Sequence, residues 1–335
     1  MSDGSVTPIV SVIIPTYNRA QKVQAAIRSV LSQTYPDYEI ILVDDGSTDG
    51  TAEAVERFFS QEQGNVKKVR YLFQHNQGPS ISRNTGIEHA RGKWIAFLDS
   101  DDLWFPEKLE CQLQVLEQFK EAGACVADAQ MVNDVGLDAS TFHQCGRVYH
   151  QPIGIASDAL LGTAKDFPGF WLSTLLVRTD LARDLKGFDP DIQVAEDRDF
   201  HFRLALKTRF AYINKLLVRT DRSASMPGSN CRPWDKWHIR LRGHQRMYEK
   251  WLASPALPVE IRKIISVNLR CTHSHWTNWY LAHEQFHNAR ESASNALRYG
   301  FTFSLALKWI LTRFMPGIAR KMTLNAGSDN AVYSR

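Results

Sequence analysis

The sequence lacks the marks of several common protein classes. Its five cysteines, Cys111, Cys125, Cys145, Cys231 and Cys271, form no CxxC pair and no even-numbered framework. That excludes a disulfide scaffold and a cysteine zinc module, and it fits reduced thiols in a cytosolic protein. No basic segment precedes an apolar stretch in Met1–Thr7, and Val10–Pro15 is too short for a signal or an anchor. No later apolar run approaches the roughly 20 residues that span a bilayer. Glycine-rich phosphate loops are missing as well. No GxGxxG follows a strand-like segment and no GxxxxGK[ST] occurs, so any phosphate must be neutralised by other means. There is no fixed-period repeat and no low-complexity tract.

What remains is an ordinary globular composition with 44% apolar and 23% charged residues, and 335 residues give room for more than one domain. Charge is unevenly spread. From Cys231 onward there are 16 Lys and Arg against 6 Asp and Glu, a balance of +10, so with 40 and 36 in the whole chain residues 1–230 stand at −6. A mildly acidic body with a basic tail suggests that the tail meets an anionic surface; a solvated helical face is the equal alternative.

Residues 10–120 read as strand–helix units. Apolar runs predict strands at Val10–Pro15, Tyr38–Asp44, Val69–Gln74 and Trp94–Asp99. Helical spacing predicts helices at Gln21–Ser32, Thr51–Phe59, Ile81–Ala90 and Pro106–Lys120. Such alternation calls for a parallel sheet with helices on both faces. From Gly123 the rhythm changes, with strands expected at Cys125–Val132, Trp171–Arg178 and Arg209–Val218, a loop at Val135–Pro152 and a helix at Glu196–Leu206. Ser223–Pro233 reads as a linker. Beyond it, 234–322 shows only helical periodicity.

The polar residues gather just after the expected strands. Asp99-Ser100-Asp101 ends the apolar run Trp94–Leu98, and two carboxylates at a strand tip make a hard, oxygen-lined cation site. A plain turn is the competing reading. Pro15-Thr16-Tyr17-Asn18 follows the first strand, where Tyr17 is placed to stack on a base or merely to follow a proline turn. Asp44-Asp45-Gly46-Ser47-Thr48-Asp49 follows the second, with carboxylates suited to a base N–H or a ribose hydroxyl. After the third come Gly78-Pro79-Ser80 and Arg83-Asn84-Thr85-Gly86, in which Arg83 suits a phosphate or an acidic neighbour and Asn84 and Gly86 suit helix packing.

Together with Ser11–Asn18, Glu39–Asp49 and Phe97–Asp102, these ordered blocks resemble the family 2 nucleotide-sugar glycosyltransferases of the GT-A fold. The resemblance implies an α/β, Rossmann-like mixed sheet flanked by helices over residues 1–225. A C-terminal helical extension over 234–322 and a flexible tail over 323–335 are expected to follow. It implies donor contacts from Pro15, Thr16, Tyr17, Asn18, Asp44, Asp45, Arg83, Asp99 and Ser100, and a DxD pair of Asp99 and Asp101 on Mn²⁺ or Mg²⁺. A UDP-sugar is the expected donor, and a glycan or lipid-linked glycan of polysaccharide or cell-envelope biosynthesis the expected acceptor. The family also expects a carboxylate at a helix start, which Glu196-Asp197 supplies after Gly187-Phe188-Asp189-Pro190. Asp197 is then the base of an inverting transfer, with Glu196 positioning it or binding the acceptor. Two departures stand out: Arg219-Thr220-Asp221-Arg222-Ser223 lacks the Arg-x-His pattern of relatives, and Lys186 replaces a glycine.

Two other features compete. His283-Glu284-Gln285-Phe286-His287 is a literal HExxH, which on one helix would read as a zinc hydrolase, although no later His supplies a third ligand. A non-catalytic nucleotide-sugar-binding protein is the other alternative. Finally, Phe301–Lys321 interleaves apolar and basic residues, the pattern of a helix lying on an anionic membrane or packing on a protein surface. A cytoplasmic enzyme, peripheral on the inner face of the plasma membrane and without nucleic acid as a partner, is the expectation.

Overall fold

A computed structural model describes residues 7–62, 65–132, 139–165, 170–221, 237–255 and 257–326. The chain divides into a larger unit (1–163, 167–190, 196–232) and a smaller one (164–166, 191–195, 233–335).

The elements up to residue 221 alternate strand and helix through the first half. They are β1 (Val10–Thr16), α1 (Val23–Leu31), β2 (Tyr38–Asp44), α2 (Thr51–Gln61), β3 (Val69–Phe73), α3 (Pro79–His89), β4 (Trp94–Phe97), β5 (Leu103–Trp104) and α4 (Lys108–Gln118). There follow β6 (Ala122–Val132), β7 (Ala139–Ser140), α5 (Thr141–Gln144), β8 (Ile153–Ile155), α6 (Ala159–Ala164), β9 (Leu176–Arg178), α7 (Thr179–Asp184), α8 (Glu196–Ala205) and β10 (Arg209–Asp221). One sheet runs β3-β2-β1-β4-β9-β6-β10-β5, with β7 on β6 and β8 on β10. β1 is parallel to β2 and β4, and β2 to β3. β9 runs antiparallel to both β4 and β6, and β10 is parallel to β6. The sheet is therefore mixed, with a Rossmann-like first half.

Strand periodicity of two sorts the core into two layers. Val12, Ile14, Ile40 and Leu42 pack with Ile27, Phe58 and Leu116 on one face, while Ile13, Ile41, Val43 and Phe97 pack with Phe188, Phe200 and Phe210 on the other. Strands buried on both faces read as continuous apolar runs, which is why β1, β2 and β4 were legible in the sequence. α1 buries Val23, Ala26, Ile27 and Val30, an i, i+3, i+4, i+7 stripe. α3 packs so closely on β1 that a Cβ on Gly86 would lie 2.4 Å from Ile13 Cγ2.

Three expectations need correcting. The segment Trp171–Arg178 is not one strand: Leu172–Thr174 forms a 3₁₀ turn, and only Leu176–Arg178 pairs with the sheet. The turn arises because Ser173 bonds to the loop after β4, described below. The loop expected over Val135–Pro152 contains β7 and α5 among its described residues. Residues 323–326, expected to belong to the tail, are helical, since α13 reaches Ala326. The linker Ser223–Pro233 and residues 327–335 lie outside the described residues.

The smaller unit is helical: α9 (Trp237–Leu252), α10 (Val259–Ala282), α11 (Phe286–Arg298), α12 (Phe303–Phe314) and α13 (Pro316–Ala326). α10 buries Ile261, Ile265, Leu269, Trp276 and Leu281, and α11 offers the small residues Ala289, Ala293 and Ala296. Among the described residues no helix is long and apolar enough to cross a membrane.

α7 ends in a Schellman motif, with Gly187 N–H bonding to Ala182 O (3.0 Å) and Lys186 N–H to Arg183 O (2.8 Å). The left-handed position falls on Lys186, at φ 58°. An L residue there carries Cβ strain that glycine avoids, partly offset by the greater backbone entropy glycine loses. Lys186→Gly is therefore expected to raise the stability of the larger unit by about 0.5–1 kcal/mol, read as a higher urea midpoint at unchanged m-value. An equal or lower midpoint would contradict the strain.

Candidate active site

The polar segments that follow the parallel strands converge at one edge of the sheet, where open α/β folds bind ligands. Thr16 and Asp44 are register partners at the ends of β1 and β2. Beyond them the two loops are clipped together. Asp45 N–H bonds to Thr16 O (2.9 Å), Asn18 N–H to Ser47 Oγ (2.9 Å), and Thr48 N–H to Asn18 Oδ1 (2.9 Å). Asn18 adopts φ 51°, a conformation its short amide side chain tolerates. The clip leaves Tyr17 46% exposed at the edge, beside a half-buried Pro15. The Thr16 hydroxyl is buried and makes no hydrogen bond.

Asp44 and Asp45 are both buried, and the chain's own donors engage them. Asp44 accepts from Ser47 N–H and Tyr71 Oη, each at 2.8 Å. Asp45 accepts from Gln74 Nε2 (2.7 Å), Gln77 N–H (3.0 Å) and Gly78 N–H (2.8 Å). Gly46 lies between this loop and Asn76, whose backbone nitrogen would be 2.8 Å from an added Cβ. At this edge the Asp-Asp-Gly block shapes the loops that surround the exposed tyrosine.

β4 delivers the Asp-Ser-Asp-Asp turn to the same edge. Asp102 N–H bonds to Asp99 O (3.0 Å), and Ser173 Oγ donates to Asp102 Oδ2 (2.5 Å) while accepting from Asp99 N–H (3.2 Å). Asp102 and Ser173 are buried organisers that sequence reasoning passed over, although both lie in segments it singled out. Ser100 is buried too. Asp99 and Asp101 keep side chains 31% and 35% exposed, and Asp101 sits 3.9 Å from Arg19.

Arg83 on α3 joins two of the sequence-predicted groups. Its guanidinium donates to Asp99 Oδ1 (2.8 Å) and to Glu196 Oε1 (2.9 Å), and lies 5.3 Å from the Phe188 ring centre. Burial opposes the charge on Arg83, but the two carboxylates more than offset it and hold its pKa above the ordinary value. For Glu196 burial dominates; with Asp197 beside it, the carboxyl is pushed up despite the guanidinium. Asn84, next in the chain, exchanges two hydrogen bonds with the Phe188 backbone (2.8 and 2.7 Å), which fastens the Gly187-Phe188 loop to α3. This is the packing role expected of Asn84.

Glu196 and Asp197 open α8, where the helix dipole favours negative charge. Asp197 is partly exposed and accepts from Arg198 N–H (2.7 Å). One turn on, His201 is fully buried, and burial pushes its imidazole down to about 4. It is thus a neutral ring beneath the helix start.

Asp99 and Asp101 offer hard oxygen donors, half in solvent, and fit Mg²⁺ or Mn²⁺. Among the described residues no three His, Cys, Asp or Glu side chains gather into a metal cage, so such an ion would draw its other ligands from substrate and water. The HExxH does not survive. α10 ends at Ala282 with His283 as its C-cap, Glu284 takes φ 60°, and α11 begins at Phe286, so only His287 lies within a helix and the two histidines share no helical face. Glu284 pairs with Arg320 at 2.8 Å. A zincin needs both histidines on one helical face. The zinc-hydrolase reading is therefore withdrawn.

A mixed sheet with a Rossmann-like half, flanked by helices and carrying acidic turns at its strand tips, defines the GT-A class. Residues 11–150 match the profile described as Glycosyl transferase family 2. Through this segment the chain is similar to glycosyl transferase family 2. It is 42% identical over 109 residues to TuaG of Bacillus subtilis (strain 168), a glycosyltransferase assigned to teichuronic acid biosynthesis; the match covers 32% of this chain and 42% of TuaG. The first curated relatives are matched over only 26%, 17% and 15% of their own lengths. Two solved structures share the fold. S. aureus TarS 1–349 in complex with UDP-GlcNAc is 19% identical at TM-score 0.68, with 96% of this chain and 91% of that chain covered. The mannosyltransferase PcManGT from Pyrobaculum calidifontis, in complex with GDP-Man and Mn²⁺, is 20% identical at TM-score 0.57, with 97% and 88% covered.

The β4 turn is also braced from below. Trp104 Nε1 donates to Ser173 O (2.9 Å), Gln112 Nε2 to Thr174 O (2.8 Å), and Lys108 Nζ to Gln112 Oε1 (2.7 Å) over the Trp104 ring. Lys108 is 0% exposed, and burial pushes its pKa from 10.5 to about 7. Between those values the unfolded chain holds one more proton than the folded one, so stability rises with pH; below about 7 the cost of burying the charge is felt in full. From pH 7 to 9 this contributes about 2 kcal/mol. Lys108→Met is expected to flatten that rise in urea titrations at the two pH values; an unchanged slope would assign it to other groups.

Proposed function

We propose that the protein is an inverting glycosyltransferase. It would move a sugar from a nucleotide diphosphate, with a UDP-sugar as donor, to a glycan or lipid-linked glycan of the cell envelope. The observation that carries this reading is the Arg83 bridge, which ties the Asp99 turn to the Glu196-Asp197 helix start. One guanidinium thus couples a donor-side carboxylate to an acceptor-side one. TuaG's assignment and the nucleotide-sugar complexes of TarS and PcManGT support the donor and acceptor classes.

In the proposed mechanism the exposed Tyr17 ring stacks on the base, within loops shaped by Asp44 and Asp45. Asp197 accepts the proton of the acceptor hydroxyl as its oxygen bonds to the anomeric carbon. The bond from that carbon to the diphosphate breaks in line, and its electron pair leaves with the diphosphate, which inverts the centre. Glu196, held by Arg83, positions the helix start. When bound at Asp99 and Asp101, a divalent ion supplies positive charge to the leaving group.

Paired variants test this. Asp101→Asn is expected to abolish metal-stimulated UDP binding measured by calorimetry. Asp197→Asn is expected to leave UDP binding near normal and to lower transfer by about 10²–10⁴-fold. Full transfer by the Asp197 variant would remove it from the chemistry, and binding without transfer under any acceptor would favour the non-catalytic alternative.

A location on the inner face of the plasma membrane, held peripherally, belongs to the same reading. Phe303 and Phe314 on α12 are 77% and 69% exposed, with Ile310 between them and Ile318 and Met322 exposed on α13. Arg313 and Lys321 are exposed beside them. An apolar strip flanked by cations suits an anionic lipid interface. The full chain is expected to sediment with phosphatidylglycerol vesicles at low salt, and Phe303→Ser with Phe314→Ser to stay in the supernatant. Equal partition of both would overturn the attachment.

A further inference from the structure

α4 carries an anomaly on its buried face. Lys108, Leu109, Gln112, Val115 and Leu116 form the inward stripe, and two of its places hold polar side chains. Lys108 and Gln112 are both 0% exposed. Burying an amine and a carboxamide is costly where leucine or methionine would not be. Fold stability alone gives no reason for them, but their bonds do.

The Gln112 carboxamide is engaged at both ends. Oε1 accepts from Lys108 Nζ (2.7 Å), and Nε2 donates to Cys125 O of β6 (3.1 Å) and to Thr174 O (2.8 Å). Nζ has a hydrogen for Oε1 whether the amine is charged or neutral, so it selects one of the two ways the amide could face. A flipped amide would set oxygen against the Thr174 and Cys125 carbonyls. Nζ also lies 3.9 Å from the Trp104 ring centre, and the indole N–H of Trp104 donates to Ser173 O (2.9 Å). Two buried arms from one amine thus reach adjacent carbonyls of the Leu172–Thr174 turn. On the far side of that turn Ser173 Oγ accepts from Asp99 N–H and donates to Asp102. Trp104, Ser173 and Thr174 are buried as well.

We propose that Lys108 is a positioning residue for nucleotide binding: through Gln112 and Trp104 it fixes the Ser173 and Thr174 carbonyls, and through Ser173 the Asp99–Asp102 turn that receives the diphosphate. The nucleotide part rests on the donor-site reading of that turn; the effect on the turn itself does not.

Protonation gives the arrangement a pH signature. Below about 7 the amine becomes an ammonium whose polar partner among the described residues is a single amide oxygen, which strains the brace. The other titratable groups nearby do not change in that range. Burial pushes Cys125 on β6 up to about 12 and raises Cys111 on α4. Glu107 is held below the usual carboxylate range by its own backbone N–H and by Lys215, 3.1 Å away. Asp102, beyond Ser173, accepts the Ser173 hydroxyl.

The test compares the full chain with Lys108→Met, which fills the site but has no hydrogen for Gln112. UDP binding is measured by calorimetry, uridine binding by NMR titration and backbone amide exchange by NMR. The variant is expected to bind UDP about tenfold more weakly at pH 8, the low end for losing a support behind a binding group. It should bind uridine equally and exchange the Asp99 and Asp102 amides faster, with circular dichroism unchanged. The ratio of the two UDP affinities, in which the ligand's own titration cancels, should shrink from pH 8 to pH 6. Trp104→Phe keeps a ring beside Nζ and removes the bond to Ser173 O; it should move UDP affinity and the same amides in the same direction, and it serves if the first variant does not fold. Equal loss of uridine and UDP, or a ratio constant with pH, would overturn the proposal. UDP binding and amide exchange indifferent to both variants would sink the positioning role alone. Faster exchange in a chain that binds no UDP in any form would sink the donor-site reading alone.

Discussion

A buried guanidinium shared by two carboxylates is the constraint on which the larger unit depends. Arg83 reaches Asp99, 16 residues away, and Glu196, 113 residues away. Taking these charges out of water is costly, and the cost is offset only when all three are in place. The β4 tip, α3 and the start of α8 are therefore fixed relative to one another. The adjacent Asn84 ties the Phe188 loop to the same helix turn, and Phe188 in turn forms one face of the Arg83 environment. Rigid positioning of this kind keeps charged groups oriented before any ligand arrives.

Around that bridge the acidic residues divide by burial. Asp44, Asp45 and Asp102 are buried and spent on backbone and side-chain donors that hold the loops. Asp99, Asp101 and Asp197 stay partly exposed at the edge. The fully bonded carboxylates make the scaffold, and in the proposed mechanism the half-exposed ones meet a cation or a substrate. Buried polar groups must be satisfied internally, whereas exposed ones have water to exchange for a ligand.

The smaller unit shows a similar division of surface. Its core is built on α10 and α11, while α12 and α13 turn phenylalanine, isoleucine and methionine outward beside arginine and lysine. Two of the cations counted in the +10 balance from Cys231 onward, Arg313 and Lys321, are exposed on the same helices as these apolar side chains.

Local pattern by itself determined the buried strands β1, β2 and β4, the amphipathic helices, and the four ordered blocks that carry the family resemblance, since each depends on neighbours within a few residues. Tertiary structure alone decided the rest. The antiparallel insertion of β9, the 3₁₀ turn at Ser173, the engagement of Asp45 by three donors and the break within HExxH between two helices all depend on partners distant in sequence or on how a helix ends. Arg83 shows the difference most directly: the sequence marks it as a cation suited to a phosphate or to an acidic neighbour, without saying which. Which carboxylates it binds is set by the topology that brings residue 196 beside residue 99, because an ion pair is specified by position in space and leaves no periodic trace in the chain.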